Sequence, residues 1–180
     1  MKPRQAVEEW LSAMGGASRS ELAAREPGRV GPPPFPPVLS SMKILKRRAI
    51  PGRQIHAVAY HDTVGTPWFW VVRLIEEDDD SWQVRGGGGG SGPSPERGMP
   101  WINYAGCWGK DGLAVGGRVA GSGAATSARL RMGDAILVDD VGNGVVLFVT
   151  SEPTAGSEAI IELLTEDGSI LWQDQFELDE

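Results

Sequence analysis

The chain has 180 residues, 41% of them hydrophobic, and a formal net charge of −7. That is enough for one medium domain or two small ones, with enough apolar content for most of it to fold. A single cysteine excludes an intramolecular disulfide and a multi-cysteine zinc site, while 25 Gly and 13 Pro favour turns and short strands over long helices.

The N-terminal stretch MKPRQAVEEWLSAM carries charges within its apolar part, so it is not read as a secretory signal. The apolar runs fall short of a membrane span, and a soluble, cytoplasmic protein is expected. Val7, Trp10, Leu11 and Met14 follow the i, i+3, i+4, i+7 spacing of one helix face, which predicts a helix over 3–14. Pro3 suits its first turn and Gly15-Gly16 its stop. Ser18 and Glu21 have capping-box spacing, so a short helix over 18–25 is expected, ended by Pro27-Gly28. VGPPPFPPV (30–38) reads as a stiff connector that could also dock a proline-binding domain.

Strands are expected at 42–50, 53–61, 67–76 and 81–86, where β-branched and aromatic residues are punctuated by Pro-Gly, DTVGT and an aspartate run. The simplest arrangement is an antiparallel meander with helix 3–14 across one face. Period-two patterning returns at 113–121, 127–132, 135–140, 144–150, 158–164 and 169–176, separated by tight polar turns, and points to a β-sandwich. VVLFV is apolar on both faces and should be a central strand.

Between the two systems lies RGGGGGSGPSPERG. A phosphate loop needs its glycines just before a helix, so that N–H groups point at the anion. Prolines follow here, so 86–98 reads as a linker between an α+β module over 1–85 and a sandwich module over 99–180. The charge divides the same way: residues 1–85 hold 12 Lys and Arg against 10 Asp and Glu, and residues 96–180 hold 5 against 14. The acidic half should repel nucleic acid and anionic membranes. KILKRR is the one basic cluster and could touch an anionic partner.

Several groups could carry chemistry. Gly121, Gly123 and Asp139-Asp140 imitate a dinucleotide fold, but the third glycine position is Thr126 and no crossover helix fits, so a hairpin is favoured. His56 and His61 are oddly spaced, so a regular strand puts them on opposite faces, where they cannot share a metal. His61 beside Asp62 could serve as a lone base. Together His56, His61 and Trp70 are the candidate pocket of the first sheet. Cys107 could be a nucleophile with a nearby histidine, or a small buried hydrophobe. Asp78-Asp79-Asp80 and Glu166-Asp167 lack the spaced ligands of a calcium loop and read as solvated turns. No catalytic motif is present, and no metal or cofactor is expected.

The seven tryptophans are the unusual feature. Trp68 and Trp70 share a strand face, and Trp10 lies on the apolar helix face, so a common core is expected. Trp101, Tyr104 and Trp108 either form an exposed platform or close the bottom of the sandwich, with core favoured.

AVEEWLSAM followed by a meander ending in SWQVRG resembles a reduced cystatin/NTF2-like α+β fold. LRMGDAILVDDVGNGVVLFV with IELLTEDGSILWQ resembles the immunoglobulin-like sandwich modules of uncharacterised bacterial proteins, and lacks the paired cysteines of antibody domains. These resemblances imply fold only. The expected class is mainly β (α+β): a helix on an antiparallel meander, then an immunoglobulin-like sandwich. The expected function is a non-enzymatic binding or interaction module with a protein partner. The alternatives are a small-molecule-binding or hydrolytic enzyme using the first-sheet pocket, and a carbohydrate-binding module using Trp101, Tyr104 and Trp108.

Overall fold

A computed structural model describes residues 1–14, 35–91, 99–109, 112–121, 123–152 and 157–178. Helix α1 spans Pro3–Met14, as its spacing predicts. The expected helix over 18–25 and the linker residues 92–98 lie outside the described residues.

Four strands form the first sheet in chain order: β1 (Lys43–Ile50), β2 (Arg53–His61), β3 (Pro67–Glu76) and β4 (Trp82–Gly90). This is the expected antiparallel meander. The β1–β2 turn is Pro51-Gly52, with Gly52 at φ 68°, a conformation open to glycine. In the β2–β3 turn Asp62 accepts the N–H groups of Val64 (3.0 Å) and Thr66 (2.8 Å). The end of the proline-rich connector is ordered beside it: Val38 donates to His61 O at 2.8 Å, and Thr63 to Pro36 O at 3.0 Å.

Seven more strands follow: β5 (Trp101–Cys107), β6 (Leu113–Ala120), β7 (Ser127–Met132), β8 (Ala135–Asp140), β9 (Val145–Thr150), β10 (Ser157–Leu164) and β11 (Ile170–Leu178). They form a middle sheet, β5-β6-β9, and an outer sheet, β11-β10-β7-β8. Counted from β5, the first, second and fifth strands face the seventh, sixth, third and fourth. That is an immunoglobulin-like arrangement in which the fourth strand stays beside the third. Strand β5 was not expected, because WINYAGC shows little alternation.

The layers stack as helix, first sheet, middle sheet, outer sheet. Ala6, Val7 and Leu11 of α1 pack with Val58, Trp70, Val72 and Leu74. The other face of the first sheet, through Ile55, Ala57, Phe69 and Val71, meets Ala114, Val145 and Leu147 of the middle sheet. The far face of the middle sheet, through Ile102, Val115, Val146 and Phe148, packs on Ala128, Leu130, Ile161 and Leu163. The middle sheet is therefore covered on both sides. This is why VVLF reads apolar at every position.

The glycine run is a correction to the linker expectation. Gly86 to Gly90 belong to β4, paired with Arg73 to Phe69 of β3. A bulge at Arg85 shifts the alternation, so Gly87 and Gly89 face α1 together with Trp82 and Val84. Space explains the three central glycines, Gly87, Gly88 and Gly89. A Cβ on Gly89 would lie 2.3 Å from the Trp70 ring, and one on Gly87 would lie 3.1 Å from Trp10. On the other face, a Cβ on Gly88 would lie 1.8 Å from the carbonyl oxygen of Gly106 in β5. The run is a strand squeezed between two indoles and a neighbouring backbone.

Candidate functional site

The pocket residues inferred for the first sheet separate by face. His56 and Trp70 both point toward α1, while alternation turns His61 the other way, exposed at the end of β2. His56 is 0% exposed and Trp70 8%. The pairings His56 with Val72 and Val58 with Trp70 make them diagonal neighbours across two strands. His56 Nε2 lies 3.0 Å from Gln54 Oε1. With that carbonyl as acceptor, Nε2 carries the proton and Nδ1 keeps a lone pair. His56 Nδ1 has no hydrogen-bond partner, and the Trp70 indole N–H is turned to the Tyr60 hydroxyl. Burial, reinforced by the Arg47 charge, depresses the His56 pKa to about 4, so the ring is neutral.

Around this pair the polar atoms are matched. Trp68 Nε1 donates to Asp62 Oδ2 at 3.1 Å. Burial pushes the Asp62 carboxyl up, but the N–H groups of Trp68, Thr66 and Val64 together outweigh it and hold the pKa below the ordinary value. Tyr60 stacks on Trp68 with centroids 6.4 Å apart, and burial lifts its hydroxyl to about 12. Trp10 stands edge-on to Trp70 at 5.3 Å.

The other aromatic trio is also divided. Tyr104 and Trp108 pack on the sandwich core with Phe176, at centroid distances of 4.9 and 5.8 Å. Alternation puts Trp101 on the opposite face of β5, with Ala105 and Cys107. The three residues thus do not share one flat surface. The Tyr104 hydroxyl donates to Asp174 at 2.9 Å; burial and that carboxylate both raise its pKa. Cys107 is half-buried, and burial raises its thiol pKa despite the opposing effect of Arg73, which disfavours the thiolate a nucleophile needs. Among the described residues, no group of three His, Cys, Asp or Glu could hold a metal ion. No helix among them is long and apolar enough to cross a membrane.

The basic cluster and the Asp139-Asp140 pair, far apart in the sequence, meet in space. Lys46 Nζ is 2.9 Å from Asp139 Oδ2 and 3.3 Å from Asp140 Oδ2, and Arg48 pairs with Asp139. Asp139 also accepts the N–H of Leu147 at 2.6 Å, and Lys46 donates to Val145 O at 3.2 Å. These side chains satisfy backbone groups on the outer edge of β9 and tie the three sheets together there. Asp139-Asp140 is therefore engaged by cations of the same chain.

A feature not singled out from the sequence lies on the outer face of the outer sheet. Ile136 and Val138, two apart on β8, are 59% and 64% exposed. Opposite them on β7 stand Arg131 and Arg129. Both arginines pair with Glu162 of β10, at 3.0 and 2.6 Å. Glu162 is fully buried beneath them. Burial pushes its carboxyl up, but the two guanidiniums outweigh this and depress its pKa. Arg131 Nε is buried without a hydrogen-bond partner. The period-two pattern of SARLRM, set in register with AILVDD, was the signal that could have exposed this face.

No protein-family model, no curated protein and no solved structure matches this chain.

Proposed function

We propose that the protein is a non-enzymatic interaction module. Its outer sheet docks an apolar, carboxylate-bearing segment of another protein over Ile136, Val138 and the Arg129–Glu162–Arg131 triad. The observation that carries the reading is the pair of exposed β-branched side chains on one strand face. Other exposed apolar residues, such as Val64 in a turn and Met99 before β5, are scattered singly, which is ordinary for a protein surface. Two guanidiniums around one carboxylate leave a local positive excess on a chain of net charge −7. That excess favours a partner that brings a carboxylate, and arginine beside apolar residues is typical of docking surfaces.

A photoreactive amino acid placed at Val138 in the full chain should cross-link a partner protein inside the native cell. The same group at Gln83, exposed on β4, should not. Ile136→Asp should abolish the Val138 adduct while leaving the melting temperature nearly unchanged, as for other surface substitutions. Equal adducts from both positions, or an adduct indifferent to Ile136→Asp, would contradict the proposal.

A further inference from the structure

We infer that the docking face takes its partner as an added strand: an extended segment of a different protein pairs along the free edge of β8 and lengthens the four-stranded outer sheet by one strand. This rests on the docking proposed above and gives it a form.

The edge of β8 is set by the phase of its ladder with β7. Gly133-Asp134 joins the two strands, with Met132 opposite Ala135 and Ser127 opposite Asp140. Just beyond that last pair, Val141 donates to Thr126 O at 3.2 Å. Directly bonded pairs alternate along an antiparallel ladder. Asp139, Leu137 and Ala135 therefore turn their N–H and C=O groups to β7, while Asp140, Val138 and Ile136 turn theirs away. Lys46 marks the same phase from outside, donating from Nζ to Asp140 O at 2.9 Å. No strand pairs with β8 on that side, and no hydrogen bond among the described residues reaches the edge groups of Ile136 or Val138. Two donors and two acceptors thus stand open in strand spacing. They belong to the same two residues whose side chains are exposed. An extended segment matches all four groups and covers both side chains with its own alternate residues.

Two other edge strands are guarded. β1 has a bulge between Ile44 and Lys46 and the cations Lys43, Lys46, Arg47 and Arg48. β11 aims Asp174 inward at the Tyr104 hydroxyl. Bulges, cations and inward carboxylates all discourage strand addition. Between Ala135 and Val138, β8 has no charge, no proline and no bulge.

A second copy of this chain fits less well. The register that joins all four groups of both copies sets Ile136 opposite Val138, and so sets Asp134 opposite Asp140 at both ends. Like charges placed opposite each other repel, and each copy carries a net charge of −7. Arg129 and Arg131 stand one strand further in, roughly 10 Å from an added strand. The carboxylate that meets them therefore comes from partner chain that turns back over the face.

The test keeps the photoreactive residue at Val138 of the full chain in the native cell and compares Ile136→Pro with Ile136→Val. Proline and valine have equal numbers of side-chain carbons, but proline removes the edge N–H. Proline is tolerated where an edge N–H faces outward, so the two variants should melt at nearly the same temperature. The methylene lost in Ile136→Val should lower the adduct yield by about fourfold at most. Ile136→Pro should lower it at least about tenfold further, the loss of one hydrogen bond at the upper end of its usual worth. Should Ile136→Pro not fold, the photoreactive residue at Ile136, with Val138→Pro set against the native Val138, makes the same comparison. Equal yields from the proline and valine forms overturn strand addition and leave docking on the face standing. No adduct from Val138 in the otherwise unaltered chain overturns both. An adduct with the mass of two copies of this chain overturns the choice of a different protein.

Discussion

Gly88→Ala tests the packing of the glycine strand through the sign of its effect. In a flexible linker, exchanging glycine for alanine is neutral or stabilises by roughly 0.4–1 kcal/mol, because the unfolded chain loses freedom. In the structure, the added methyl carbon would sit 1.8 Å from the Gly106 carbonyl oxygen and 2.7 Å from its carbonyl carbon. Ordinary contact needs more than 3 Å by the usual packing distances, so β4 and β5 must separate by roughly 1.5 Å. Both atoms belong to backbone held in ladders, so no side chain can swing aside. Overpacking of this kind costs about 1–3 kcal/mol and sometimes more, and a rigid neighbour puts it at the upper end. After the chain-entropy gain, a net loss of about 2–3 kcal/mol remains. For a chain of this size that is a fall of roughly 4–12 °C in melting temperature. Gly90→Ala is the matched control, since no atom lies within 4 Å of its added carbon. Thermal and urea unfolding of both variants give the answer. If Gly88→Ala is as stable as the unaltered chain, or more so, the close approach of β4 to β5 is wrong.

Two further outcomes follow from the buried charges. Asp139→Ala should destabilise by about 3 kcal/mol in urea unfolding, because it leaves Lys46 without its buried partner and the Leu147 N–H without an acceptor; Asp140 can retain part of the Lys46 interaction and keep the loss from growing larger. His56 should make stability pH-dependent. Its folded pKa of about 4 lies below the ordinary 6.5, so the folded state binds fewer protons between those values. The stabilisation is complete above pH 6.5 and is lost as the pH falls toward 4, by about 2 kcal/mol between pH 7 and 5. Five carboxylates among the described residues have depressed pKa values, Asp62, Asp79, Asp140, Glu162 and Asp167, and their stabilisation is lost only as the pH falls below the ordinary carboxylate range, so His56→Gln should remove most of the slope between pH 7 and 5; an unchanged slope would assign it elsewhere.

The legible parts of the fold were those where one residue pattern maps onto one environment. Helix α1 followed from Val7, Trp10, Leu11 and Met14, and most strands from alternation or β-branched runs between turn signals. The shared core of Trp10, Trp68 and Trp70 was likewise readable. Strand β5 was not, because Ile102 and Tyr104 serve one core while Ala105 and Cys107 serve another, and small residues blur the alternation. The glycine strand was hidden for a physical reason. Glycine carries no hydrophobic signal, and the atoms that require it, in Trp10 and Gly106, come from distant parts of the chain. For the same reason the partners of Lys46 and Arg48, more than ninety positions away, could not be read from KILKRR. In the candidate pocket, strand parity separates His56 from His61, but the complete burial of His56 depends on what packs over the first sheet, which alternation does not encode.

The layered fold depends on the glycine run being a strand, and amide hydrogen exchange at Gly86–Gly90 tests that most directly. The amides that point into the ladder with β3 should exchange slowly, with opening free energies approaching that of global unfolding, as for core strands. Exchange as fast as in an unstructured peptide along the whole run would contradict the account, since it would return the glycines to a linker and leave β3 without its outer neighbour.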